Sequence, residues 1–166
     1  KDLIGLIPII AKNDIGYKNI VKLSSNSYLN HENFNEPFCD FRDLSQRSEG
    51  LIVTLGGLNS LAGVLFKKDR LIELKEIYIF LKKLFKENFY IEIQRHGDIN
   101  EKNLEAYNLK ISKELNIPII ASHEVYYLDK NIYDAHDALM CIGSKNYIND
   151  KNRPKLSSNH YFKSNN

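Results

Sequence analysis

Four short apolar runs alternate with stretches whose apolar residues recur every three or four positions. That alternation constrains the fold more than any other feature of the sequence. The runs are "LIGLIPIIA" (3–11), "GLIVTLGG" (50–57), "FYIEIQRHG" (89–97) and "IPIIAS" (117–122). The first two are nearly continuous and short, as expected of strands buried on both faces. In the third, Ile91 and Ile93 share one side while Glu92 and Gln94 share the other. Asn13 or Asp14 can cap a helix carrying Ile15, Ile20, Leu23 and Tyr28. Residues 30–50 are polar and turn-rich, with one short helical turn near Asp43–Gln46. The clearest helix covers 69–88, where Leu71, Leu74, Ile77, Tyr78, Leu81, Leu84 and Phe85 form one broad face. Further helices are expected over 101–116 and 134–143. Strand then helix, four times over, argues for an α/β fold with parallel strands and right-handed crossovers. Chemistry in such folds gathers beyond the carboxyl ends of the strands.

A chain of 166 residues suffices for one domain with a real core. Its 23 basic and 21 acidic residues leave a net charge of +2, so no overall field attracts nucleic acid. Cys39 and Cys141 show no metal-finger spacing, and so few cysteines suit a reduced cytoplasmic compartment. No apolar run is long enough to span a bilayer, and no membrane role is expected. The first residue is Lys1 and an apolar run begins almost at once, so the chain reads as a segment starting inside a fold.

The strand ends carry "AKND", "LGGL", "QRHG" and "SHEVYY". His123 and Glu124 follow a strand expected to be buried, and imidazole with carboxylate suits zinc or manganese. A histidine–glutamate pair alone is a weak motif, and Tyr127 stands where a metalloprotease helix would carry its second histidine. Glu92 and His96 sit on and just after another strand. A carboxylate there either binds metal or pairs with Arg95 or a lysine, and pairing is the better reading. Asp134, His136 and Asp137 suit a helix start, with Asp134 as N-cap and Asp137 completing a variant capping box. Gly56 and Gly57 follow no phosphate-loop spacing, so a tight turn or close backbone approach explains them better. Cys141 is expected to be a small buried apolar side chain.

Six segments, in order, carry a wider likeness: "IPIIAKNDIGYKNIVKLSS", "EGLIVTLGGLNSLAG", "FYIEIQRHG", "IPIIASHEVYYL", "YDAHDALMCIG" and "NDKNRPKLSSNHYFKS". Together they resemble the polymerase-and-histidinol-phosphatase (PHP) domain of bacterial DNA polymerase III alpha subunits. The resemblance implies part of a distorted TIM-like (β/α) barrel. It makes residues 1–166 an incomplete PHP-like domain, with the first metal motifs upstream and the polymerase palm downstream. Metal-binding members carry histidines, carboxylates and often a cysteine at the strand ends. This sequence departs from them, with Leu6 near one histidine position and Gly57 at a cysteine position. Where the last motif ends in asparagine, aspartate, any residue, histidine, it reads His123, Glu124, Val125, Tyr126. A phenol keeps its proton to near pH 10, and glycine and leucine offer no donor. His123 and Glu124, as neighbours on an extended segment, should point apart. The motif positions Gly57, Glu124 and Tyr126 therefore look degenerate. Glu92, His96 and His123 remain weak candidates, and no metal is expected.

By the same resemblance, the parent would be a replicative DNA-directed DNA polymerase, a nucleotidyltransferase using Mg2+ at palm aspartates outside this stretch. The segment alone would be inactive, with no catalytic residue of its own. It would brace the polymerase and dock the proofreading exonuclease subunit, beside other replicase subunits and DNA. The aromatics near 126–133 and the lysine-rich helix faces are candidate contacts. The alternative is a metal-dependent PHP phosphoesterase holding Zn2+ or Mn2+ through Glu92, His96, His123 and Glu124 with ligands from elsewhere. An unrelated α/β interaction domain is the third reading.

Overall fold

In a computed structural model, residues 4–29 and 37–164 are described. The elements follow the expected alternation: β1 (Ile9–Ala11), α1 (Asp14–Leu29), α2 (Phe41–Gln46), β2 (Leu51–Leu55), α3 (Leu61–Lys67), α4 (Leu71–Phe85), β3 (Phe89–Ile93), α5 (Ile99–Leu115), β4 (Ile119–Ala121) and α6 (Tyr133–Ser144). The strands form one sheet in the order β1-β2-β3-β4. β2, β3 and β4 run parallel, whereas β1 pairs antiparallel with β2, Ile10 standing opposite Ile52. The expectation of parallel strands throughout is corrected there. Apolar periodicity reports which face a residue takes, not the direction of its strand. Among the described residues this is an open four-stranded sheet, and closure into a barrel belongs to the reading proposed below.

Two further expectations about strands fail for a common reason. Among the described residues of the run at 3–11, three form a strand, and Ile10 is 55% exposed. β4 has two exposed residues of three. Both are edge strands, so their apolar residues are not sandwiched between layers. β2 and β3 occupy the centre, and there burial matches the expectation. Leu51, Val53, Leu55, Phe89 and Ile91 are at most 1% exposed. They pack against Leu23 of α1, Leu61 and Leu65 of α3, Leu74, Tyr78 and Leu81 of α4, and Ile111 of α5.

Helix starts follow local chemistry. Asn13 caps α1 through its side-chain oxygen, which accepts the Gly16 amide at 3.0 Å. Gly16 is needed because a Cβ there would lie 1.8 Å from the Gly50 carbonyl oxygen. The short turn expected near 43–46 is the end of α2, capped by Asp40. The sequence reading missed α3, whose Ser60 accepts the Ala62 amide at 3.2 Å. Gly63 lies within this helix, where a Cβ would stand 2.1 Å from the Leu58 carbonyl oxygen.

The capping box belongs to a different helix from the one expected. α5 begins with Asp98 and Glu101, each bonding the other's backbone amide. α6 has Ile132 at its N-cap and no side-chain cap bond. Asp137 is instead a buried partner of Arg153, whose guanidinium donates to both carboxylate oxygens at 2.5 and 2.6 Å. The Arg153 guanidinium holds the Asp137 carboxyl below the usual carboxylate range, against the opposing effect of burial. Sequence spacing could not reveal an ion pair formed across sixteen residues by a returning loop.

Candidate functional site

The carboxyl ends of β3 and β4 bring together three histidines. His96 follows β3, His123 follows β4, and His160 arrives from the C-terminal segment. Their rings stack, His96 lying 4.6 Å from His123 and 4.3 Å from His160 between centroids. Position at a strand end marks His96 and His123 in the sequence, whereas no local motif marks His160. Its only sequence signal was membership of the resembling segment "NDKNRPKLSSNHYFKS".

The bonds to each ring set which nitrogen donates. His96 is buried, and its Nε2 accepts the Glu124 amide at 3.0 Å, so that nitrogen carries no proton. Its Nδ1–H then donates to Glu101 Oε1 at 2.8 Å. The other Glu101 oxygen accepts the amides of His96, Gly97 and Asp98 at 2.7, 2.9 and 3.2 Å. One buried carboxylate thus starts α5 and orients a histidine. His123 Nε2–H donates to the Asn159 carbonyl at 2.7 Å, and His160 Nδ1–H to the Glu124 carbonyl at 3.2 Å. Burial and the adjacent His96 push the His160 imidazole below its ordinary range, outweighing its bond to Glu124.

Glu92 is buried at the same sheet end, and among the described residues it forms no ion pair. Its carboxylate accepts the Ser122 hydroxyl, and Ser122 Oγ accepts Gln94 Nε2 at 3.2 Å. The pairing expected with Arg95 is corrected, because Arg95 points outward and binds Glu105 through two bonds at 2.6 and 3.0 Å. At Gly57 a Cβ would meet Gln94 Oε1 at 2.5 Å. The glutamine therefore fills the space that a liganding side chain at 57 would enter. A cavity of about 10 Å³ remains, lined by Gly56, Gly57, Glu92, Gln94 and Asn108 among others. Pockets for small molecules measure roughly 300–1,000 Å³. That size is reached instead by a more open cavity of about 660 Å³ over the start of α5, lined by Arg95, Gly97, Asp98, Glu101 and Lys102 among others. Tyr126 is half exposed, its ring edge-on to His160 at 5.4 Å. Tyr127, by contrast, is buried, so the candidate aromatic contact surface near 126–133 is smaller than expected. Cys141 is buried and unbridged, as expected.

Ligand-capable atoms of His96, Glu124 and His160 all lie within 4.8 Å of one another. Two imidazoles and a carboxylate suit zinc, and a carboxylate or carbonyl behind each ring is a familiar support for metal-binding histidines. The ring directions do not suit it. The His96 and His160 planes are only 6° from parallel, so their in-plane lone pairs run side by side rather than converging on one ion. The His96 Nε2 lone pair is also already taken by the Glu124 amide. The donor types fit a divalent metal, and the arrangement does not.

An α/β unit with a histidine- and carboxylate-furnished strand end is the class these features define. The family model for the PHP domain matches residues 5–96, more than half of the chain. The chain belongs to the PHP domain family. It is similar to DNA polymerase III subunit alpha of Borreliella burgdorferi, 35% identical over 93% of this chain, and of Rickettsia conorii, 36% identical over 98%. The Caulobacter vibrioides protein of the same name is 31% identical over 93%. The chain spans only 13–14% of the length of these relatives. Among the described residues, no helix is long and apolar enough to cross a membrane.

Proposed function

We propose that this chain is the PHP-domain segment of a replicative DNA-directed DNA polymerase alpha subunit, acting in the cytoplasm. Its own role is structural, as part of a distorted (β/α) barrel that braces the polymerase and docks the proofreading exonuclease subunit. The observation that carries this reading is the similarity to alpha subunits along nearly the entire chain. Gln94 fills the space beside Gly57 that a liganding side chain would enter, which supports a bracing role over a metal-dependent one. Nucleotide transfer, with its Mg2+ ions, DNA and other replicase subunits, belongs to the remainder of the parent protein.

Primer extension by the intact protein tests this directly. The expected result is template-directed extension with Mg2+ that Glu124→Ala leaves unchanged. Absence of extension by the intact, folded protein would remove the polymerase reading.

The second reading is a metal-dependent phosphoesterase, with Zn2+ or Mn2+ at His96, Glu124 and His160. The proximity of their donor atoms favours it. The parallel rings and the occupied His96 Nε2 weigh against it. A phosphoesterase rate in the intact protein that Glu124→Ala abolishes would restore it.

A further inference from the structure

We infer that His96, His123 and His160 form a metal-free staple that closes the C-terminal segment 157–162 onto the ends of β3 and β4. The inference rests on the chain's own bonds and not on polymerase activity.

The staple joins three stretches distant in sequence. His96 bonds Glu101 on one side and the Glu124 backbone on the other. His123 reaches the Asn159 carbonyl, and His160 reaches back to the Glu124 carbonyl. The His96 carbonyl in turn accepts the Ser157 hydroxyl and, at 3.0 Å, Asn159 Nδ2. Gly97 allows that approach, because its φ is +93° and a Cβ would stand 2.9 Å from Asn159 Nδ2. Backbone bonds complete the closure, from the Tyr126 amide to the His160 carbonyl and from the Phe162 amide to the Tyr127 carbonyl, both at 2.9 Å.

These bonds already engage both nitrogens of His96, Nε2 of His123 and Nδ1 of His160. A divalent ion shared by His96 and His160 would need the rings to turn out of their parallel stack. Turning His96 releases the Glu124 amide, and turning His160 releases the Glu124 carbonyl. Metal binding and the staple are therefore alternatives at this site. A metal centre ties strand ends together through one ion, and here hydrogen bonds and stacking do that work.

Hydrogen exchange on the intact protein, in zinc chloride and separately in chelator, tests the staple. The amides of Glu124, Tyr126 and Phe162 should be equally protected in both. His160→Ala should speed their exchange about tenfold, the loss expected for one buried hydrogen bond, while β2 and β3 keep their protection. His160→Asn presents an amide N–H where Nδ1–H stands and offers no counterpart to Nε2, so it should retain protection. Protection that chelator removes from the unsubstituted protein would overturn the inference, and that comparison needs no variant to fold. So would zinc-dependent protection lost alike in both variants. Neither result bears on primer extension, so the staple and the polymerase reading fail separately.

Discussion

Asn108→Ala is expected to destabilise the domain by about 2–6 kcal/mol, because it strands two buried partners at about 1–3 kcal/mol each. Asn108 is 1% exposed and bridges three elements. Its Oδ1 accepts the Tyr78 hydroxyl at 2.7 Å, joining α5 to α4. Its Nδ2 donates to the Gly56 carbonyl at 3.1 Å, at the end of β2. Burial pushes the Tyr78 hydroxyl pKa far up, so the group remains a neutral donor in need of an acceptor. Net domain stability is only about 5–15 kcal/mol, so a loss of this size is large. Exchange of the β2 and α4 amides in the intact protein reads this loss locally. Adding Tyr78→Phe removes one stranded group, so the double variant should lose less than the sum of the singles. A loss below about 1 kcal/mol in Asn108→Ala would contradict the account of this bridge.

Acidification should release the C-terminal region in two stages. His160 has a folded pKa below its unfolded value near 6.5, so below that pH the unfolded state binds the proton more readily. Its stabilisation is complete above about pH 6.5 and is lost as pH falls through the lowered folded value. His96, His123, Glu124 and the Tyr126 ring face it, and the two histidines cannot welcome a new positive charge. Asp137 is also lowered, by Arg153, so its contribution is present above about pH 4 and lost below. Exchange at 157–162 should therefore quicken first, and the region joining Asp137 to Arg153 only in stronger acid. Simultaneous loss of the two, or loss of β2 and β3 before either, would contradict this order.

What could be read from the sequence follows from how local each signal is. α4 and α5 were legible because their apolar spacing is written within one element. β2 and β3 were legible because they are central, so the continuous apolar run of β2 and the apolar side of β3 both met the core. β1 and β4 misled, since an edge strand can carry the same residues with one side open. α3 was hidden because Gly63 weakens a helical pattern whose real purpose is the close passage of Leu58. The aspartate–glutamate box at 98 and 101 was present as a local signal and overlooked, whereas Asp134 and Asp137 imitated one. At the site, Glu92, His96, His123 and Glu124 were found from their place at strand ends. Their partners were not, because Ser122, Asn159 and His160 reach them across about 30–60 residues, and only the fold brings them together. The expectation that adjacent His123 and Glu124 diverge overlooked the Glu124 backbone, whose amide and carbonyl serve the flanking histidines.

On the inference above, side-chain and backbone bonds hold the strand ends of this PHP domain in place of an ion. The most direct test is the metal content of the intact protein, purified without chelator after equilibration with zinc and manganese. Far less than one equivalent of either metal is expected, with no change in Glu124→Ala. About one equivalent, retained through dialysis and lost in Glu124→Ala, would contradict it.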